Sequence, residues 1–312
     1  MSMYIRSNQA TTINPAPSDV TIKLTSHGSD WYWAAFSLLG VTALGFIVSS
    51  AFVPRKERIF HYFSIGATFF ASIQYFTMAS NLGSVGIQTE FDHYMGGGIR
   101  QVFYARYIGW FMVSPLILGN ILLFSGVTWP TILFTLGAQE IYVVAALIGS
   151  LVSTSYKWGY FTFAVSAWFL VAYHLIFVAM PAAKALGSDV HKHYRIMLSA
   201  IMLIWTLYPI AWGLSEGGNV IAPDSEAAFY GVLDIITLPF IGCYFIYASR
   251  QISIERLGLS FGSGFQHSTE QQLPVREKHN PSEAPVTTDE ETRHSGETAV
   301  NAETVATPEQ AV

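Results

Sequence analysis

Seven apolar runs, each long enough to cross a bilayer, govern what this chain can become: residues 31–53, 59–80, 101–124, 131–153, 158–181, 194–214 and 227–249. A membrane-spanning helix needs about 20 mostly apolar residues. Only 12% of the chain is charged, against about 25% in a soluble domain, and the charges avoid the runs. In lipid a helix satisfies its own backbone hydrogen bonds, so the runs are predicted to be helical. Their apolar character is continuous, without the alternation of an outer-membrane barrel. The expected fold class is an all-α membrane protein with a seven-transmembrane-helix bundle.

Lysine and arginine placement predicts an orientation. With the N-terminus outside, the inner side receives Arg55, Lys56, Arg58, Lys184, Lys192, Arg195, Arg250 and Arg256. The outer side receives Lys23, Arg100 and Lys157 near the spans. The bias predicts N-out, C-in. The first run lacks the basic start and cleavage site of a signal peptide and reads as a membrane helix.

The chain divides into a loose polar outer segment, 1–24, a membrane domain, 25–262, and a tail, 263–312. The stretch 267–312 carries nine acidic and three basic residues and many hydroxyls, a composition that predicts disorder. It is expected to be cytosolic, and its phosphorylation is left open. The only cysteine, Cys243, lies in the last run. This rules out an internal disulfide and two-cysteine metal motifs. His191 and His193 read as solvated loop histidines rather than metal ligands. No phosphate loop, zinc spacing or nucleophile elbow occurs. Neither an enzyme nor a nucleic-acid binder is expected.

One acid stands out. Asp234 lies in AAFYGVLDIITLPFIGCYFIY, where an ionisable group is by default a functional-site hypothesis. The position one helical turn on is Leu238, so no cation shares its face there. Arg106 is the predicted partner, in a buried ion pair aided by Tyr107 and Tyr208. Glu140 is expected to face Gln74 or Asn120 within the bundle, and Lys157 to snorkel at a boundary. Glu216, Asp224 and Glu226 read as solvated loop acids.

The segments ARYIGWFMVSPLILGN (105–120), YKWGYF (156–161), WTLYPIAW (205–212) and LDIITL (233–238) together resemble the microbial opsins, which hold retinal through a Schiff-base lysine. On this resemblance Arg106, Tyr107, Trp110 and Pro115 match the third-helix pattern. Trp205, Tyr208, Pro209 and Trp212 match the chromophore wall, and Asp234 the seventh-helix counter-ion. Glu216 and Glu226 match the outer carboxylate pair. The lysine position is Leu238, which has no amine for a Schiff base, so covalent retinal is excluded at the family position. The proton-acceptor and donor positions are Gly109 and Asn120, neither of which exchanges a proton.

Further segments are similar to a lysine-less, opsin-related branch of fungal membrane proteins linked to heat shock. They include SHGSDW (26–31), YFTMASNLG (75–83), RQVFYARYIGWF (100–111), STSYKWGYFT (153–162), EGGNVIAPDSEAAFYGVLD (216–234), ERLGLSF (255–261) and SGETAV (295–300). That resemblance implies a plasma-membrane stress protein without retinal, restraining the proton ATPase or protecting the membrane. Its partners would be the lipid bilayer and other membrane proteins, with the oligomeric state open. Two alternatives stand beside it: a chromophore-free ion or proton channel or carrier, and a seven-helix receptor for an unknown ligand. Trp110, Trp205, Tyr208 and Trp212 read first as aromatics that fill the space between helices, with Leu238 filling the volume of a missing lysine–retinal unit; a remnant pocket that takes a noncovalent retinoid or sterol is the alternative, and no cofactor is expected.

Overall fold

The computed structural model describes residues 8–259, without the side chain of Lys56. The acidic stretch 267–312, including SGETAV, lies outside the described residues. Seven helices form the bundle: α1 Ser26–Ala51, α2 Ile59–Ala79, α3 Tyr104–Ser125, α4 Trp129–Leu151, α5 Lys157–Leu186, α6 Ser188–Gly217 and α7 Pro223–Ser249. All but α2 are apolar enough over a long enough stretch to qualify as spans on composition. The reason for α2's lower apolarity is its inward face, which buries His61, Ser64, Thr68, Ser72, Gln74 and Tyr75.

The ends follow local chemistry. Thr25 caps α1, its hydroxyl accepting from the His27 amide. α3 stops at Gly126, whose φ of 70° places it in the left-handed region that glycine tolerates. Pro130 and Pro223 open α4 and α7, where a missing N–H costs nothing. α5, α6 and α7 each contain a π-helical stretch, at His174–Ala179, Gly213–Gly217 and Ile236–Ile241. Each lies near or at a proline (Pro181, Pro209 and Pro239), a residue that removes one helical hydrogen bond.

Polarity runs opposite to that of a soluble domain. Val41, Leu44, Leu133, Phe163 and Leu203 are exposed on outward faces, while Arg106, Glu216, Glu226 and Asp234 are buried inside. Lipid accepts the first set, and only hydrogen bonding makes the second tolerable.

Two expectations change at the end of the bundle that carries the N-terminal segment. The run predicted as a span from 101 begins as a strand, and α3 starts only at Tyr104. Ile99–Val102 pairs antiparallel with Val85–Gln88 in a two-stranded hairpin within the otherwise helical fold. The strands are four residues each, too short for an alternation signal. Nor is the segment before α1 loose. Val20, Ile22 and Leu24 are buried, and Ile22 bridges in parallel to Arg100 of the hairpin. Asn14 and Asn81 tie the segment to the end of α2, with Asn14 Nδ2 donating to the Ser80 carbonyl at 2.8 Å and Asn81 Nδ2 to the Asn14 carbonyl at 2.7 Å.

Gln101 is the hub of this cap. Its Oε1 accepts from the Leu24 amide at 3.0 Å, and its Nε2 donates to Asn81 at 2.8 Å and Ser84 at 2.9 Å. Truncation strands buried polar groups, which costs ~1–3 kcal/mol each. Gln101→Ala is expected to lower the thermal midpoint in detergent and to expose residues 8–25 to protease; an unchanged midpoint with no new cleavage contradicts the cap.

Candidate functional site

Two separate clusters hold Arg106, Glu216, Glu226 and Asp234, the buried charged residues of the site predicted from sequence. The first lies at the N-terminal end of the bundle and centres on Arg106 in the first turn of α3. Its Nη1 contacts Glu216 Oε1 at 2.8 Å and Glu226 Oε1 at 2.6 Å, and its Nη2 donates to the Tyr32 hydroxyl at 2.9 Å. Its guanidinium also stacks over the Tyr230 ring, 4.3 Å from the centroid. A second arginine, Arg100 on the hairpin, reaches Glu226 Oε2 at 2.7 Å, Asn219 at 2.9 Å and the Ile221 carbonyl at 2.8 Å. Two guanidiniums thus face two carboxylates.

Glu216 takes the remaining donors. The Tyr107 hydroxyl donates to it at 2.9 Å and the Tyr230 hydroxyl at 3.3 Å, and Ser215 also donates. Tyr107 in turn accepts from Ser150 at 2.6 Å, and Ser150 accepts from Trp212 Nε1 at 2.8 Å. Lys157 is buried and donates to the Glu216 carbonyl at 3.3 Å.

The second cluster is Asp234. The hydroxyls of Tyr75 and Tyr208 each donate to it at 2.6 Å, and Trp110 Nε1 does so at 3.3 Å. All three donors are neutral. The Trp110 ring lies between the clusters, packed edge-on against Tyr107, Tyr208 and Tyr230.

Several expectations are corrected here. Arg106 pairs with Glu216 and Glu226, not with Asp234; α6 and α7 bring the acids directly over the arginine. Those two acids are therefore buried ligands rather than solvated loop groups. Asp224 holds the start of α1, accepting from the Thr25 amide at 2.9 Å and from its hydroxyl. Lys157 does not snorkel. Trp212 belongs to the Ser150–Tyr107 chain and stacks on Phe161 at 5.0 Å, so it does not line the pocket beside Asp234.

That pocket has a volume of about 40 Å³ and is walled chiefly by Trp110, Tyr142, Trp168, Trp205, Tyr208 and Leu238. Leu238 takes the place one turn beyond Asp234, and no lysine lines the cavity. Thr237 and Leu238 also border a second void of about 10 Å³ beside Asn120, whose Nδ2 donates to Ser64 at 3.2 Å. At Gly109 a Cβ would collide with the Gln74 side chain, so α2 occupies the space a larger residue would need. Among the described residues no group of three or more His, Cys, Asp or Glu gathers to hold a metal. His193 instead meets the Tyr244 hydroxyl at 2.9 Å.

Seven helices around buried Asp234 and an arginine–carboxylate cluster define the architecture of the bacterial-type rhodopsins. Residues 27–249 match the family described as bacteriorhodopsin-like protein, and the chain belongs to that family. It is 45% identical over 265 residues to the opsin-like protein carO of Fusarium fujikuroi, covering 82% of this chain and 86% of that one. It is 35% identical over 328 residues to the 30 kDa heat shock protein of Saccharomyces cerevisiae, covering 96% and 95%. Its fold matches the light-driven proton pump of Coccomyxa subellipsoidea with a TM-score of 0.69 and 31% identity, over 72% of this chain and 98% of that one.

The two clusters predict different costs. Removing Arg106 leaves buried Glu216 without a guanidinium partner and Glu226 with Arg100 alone, and breaking such a pair one-sidedly costs ~3–5 kcal/mol. Asp234→Asn keeps the shape and loses charge-assisted bonds from neutral donors, costing ~1–3 kcal/mol. Thermal unfolding in detergent is expected to rank Arg106→Gln well below Asp234→Asn. The reverse order contradicts the assignment of partners.

Proposed function

We propose that this chain is a non-photoactive, non-enzymatic opsin-related stress protein of the plasma membrane. In this reading it acts on other membrane proteins, the proton ATPase foremost, with its N-terminus outside and its tail in the cytosol. The observation that carries the reading is Leu238 beside Asp234 in a cavity of about 40 Å³. Pockets that take a molecule of retinal's size run to ~300 Å³ or more, and leucine offers no amine for a Schiff base. Both observations support the reading that this cavity holds no retinal, covalently bound or free. The same volume weighs against a receptor that uses the aromatic wall as its ligand site.

The stress assignment draws on the similarity to the 30 kDa heat shock protein, which extends over 96% of this chain. Restraint of the ATPase is the finer part of the proposal. It assigns the bundle a scaffold role, with its outward helix faces or its acidic C-terminal segment meeting the target.

The test uses plasma-membrane vesicles from heat-stressed wild-type and deletion cells, with ATP-driven proton pumping measured in darkness and in light. Higher pumping in the deletion, identical under both illuminations, is the expected result. Equal pumping in the two strains, or a light-dependent component lost on deletion, contradicts the proposal.

A further inference from the structure

Glu140 belongs to neither polar cluster. It is the twelfth of the 23 residues of α4, which places it about 16 Å from either end of the helix, at the midplane of a bilayer. It faces neither Gln74 nor Asn120. Instead it helps line a groove of about 380 Å³ on the outside of the bundle between α4 and α5, walled by Ile141, Val144, Ala145, Ile148, Tyr160 and Phe163. Both carboxyl oxygens are buried and have no hydrogen-bond partner among the described residues. One turn away, Gly137 is exposed and has open space where a Cβ would stand.

A lone carboxyl at this depth is costly, and hydrocarbon supplies no partner for it. Depth decides what can complete it. The hydroxyls, esters and head groups of lipids sit near the edge of the hydrocarbon core, ~15 Å from its midplane. A lipid therefore covers the apolar walls and leaves the carboxyl without a hydrogen-bond partner. A polar group at the midplane comes from another transmembrane helix.

A second copy of this chain meets that need without further adjustment. Inserted with the same topology, it carries its own Glu140 at the same depth. Across a two-fold axis along the membrane normal, a residue near the axis meets itself. A neutral carboxyl offers one O–H donor and one accepting oxygen. Two of them face to face satisfy each other through a reciprocal pair of O–H···O bonds. Gly137 lets the two α4 backbones approach closely, as small residues do at helix contacts in lipid. Ile141 and Val144, both exposed, extend the contact along the groove.

We propose that the chain forms a parallel homodimer through the α4–α5 groove, with two Glu140 carboxyls paired on the axis at the bilayer midplane. Each carboxyl turns out from beneath its groove walls to meet its mate, so the site is complete only in the dimer. The proposal is independent of any action on the proton ATPase.

The test is single-molecule photobleaching of the full chain in liposomes over falling protein-to-lipid ratios. Wild type is expected to show two-step bleaching. Glu140→Gln, which keeps a donor and an acceptor, is expected to dimerise within about threefold of wild type, and Glu140→Leu at least about tenfold more weakly. An unchanged thermal midpoint for each variant shows that it is folded. In a Cys243→Ser background with an added oxidant, Val144→Cys is expected to give a disulfide-linked dimer, and Val41→Cys on the outward face of α1 is not. Monomers at every ratio overturn the proposal. So does a Glu140→Leu chain that dimerises like wild type, or linkage through Val41→Cys in place of Val144→Cys.

Discussion

Arg106 holds the bundle together at one end. Its guanidinium joins α3 to α6 through Glu216 and to α7 through Glu226, and it reaches α1 through Tyr32. Such a group is expensive to bury alone and becomes tolerable only with carboxylate partners, which its terminal nitrogens find although its Nε is left without one. That requirement fixes how α6 and α7 enter the bundle. It also fixes the hairpin, because Arg100 must stand beside Glu226 to balance the second carboxylate. The N-terminal segment then lies against that hairpin through Ile22, and the cap over this end of the bundle is built on one charge balance.

Asp234 follows a different rule. No cation contacts it among the described residues; two tyrosine hydroxyls and an indole N–H replace the water it would otherwise keep. Trp110 both donates to Asp234 and stands between it and the arginine cluster. On the other side, the voids beside Leu238 amount to about 40 and 10 Å³, room for a few waters at most. The polar interior is therefore two local locks rather than one continuous chain of exchangeable groups. Gly109, pressed against Gln74, and Asn120, bonded to Ser64, have both been taken into helix packing.

The seven spans were legible because a membrane helix is specified locally, by about 20 apolar residues in succession. The family was legible because ARYIGWF, WTLYPIAW and EGGNVIAPDSEAAFYGVLD combine unusual residues at fixed spacing. The partners of Arg106 were not. Glu216 and Glu226 sit in a loop-like stretch, SEGGNVIAPDSEA, whose composition reads as solvated. Only the fold reveals that residues 110 and 120 positions away lie against the arginine. Tyr75, Tyr32 and Arg100 escaped notice for the same reason. Two signals were present but silent: Arg100 precedes Arg106 by six residues, and Tyr230 stands one turn before Asp234. The hairpin escaped because the strand Ile99–Val102, IRQV, runs without a break into the apolar stretch of α3.

The light-driven pump of Coccomyxa subellipsoidea thus shares its frame with a chain whose Arg106, Arg100, Glu216 and Glu226 are paired with one another in place. The closure of that interior is tested most directly by dark proton flux. Purified protein in liposomes, under an imposed pH gradient and followed with an entrapped pH-sensitive dye, should conduct protons no faster than protein-free liposomes, and Asp234→Asn should change nothing. A dark flux clearly above the protein-free rate, abolished by Asp234→Asn, would contradict two separate locks and place Asp234 on a working proton path.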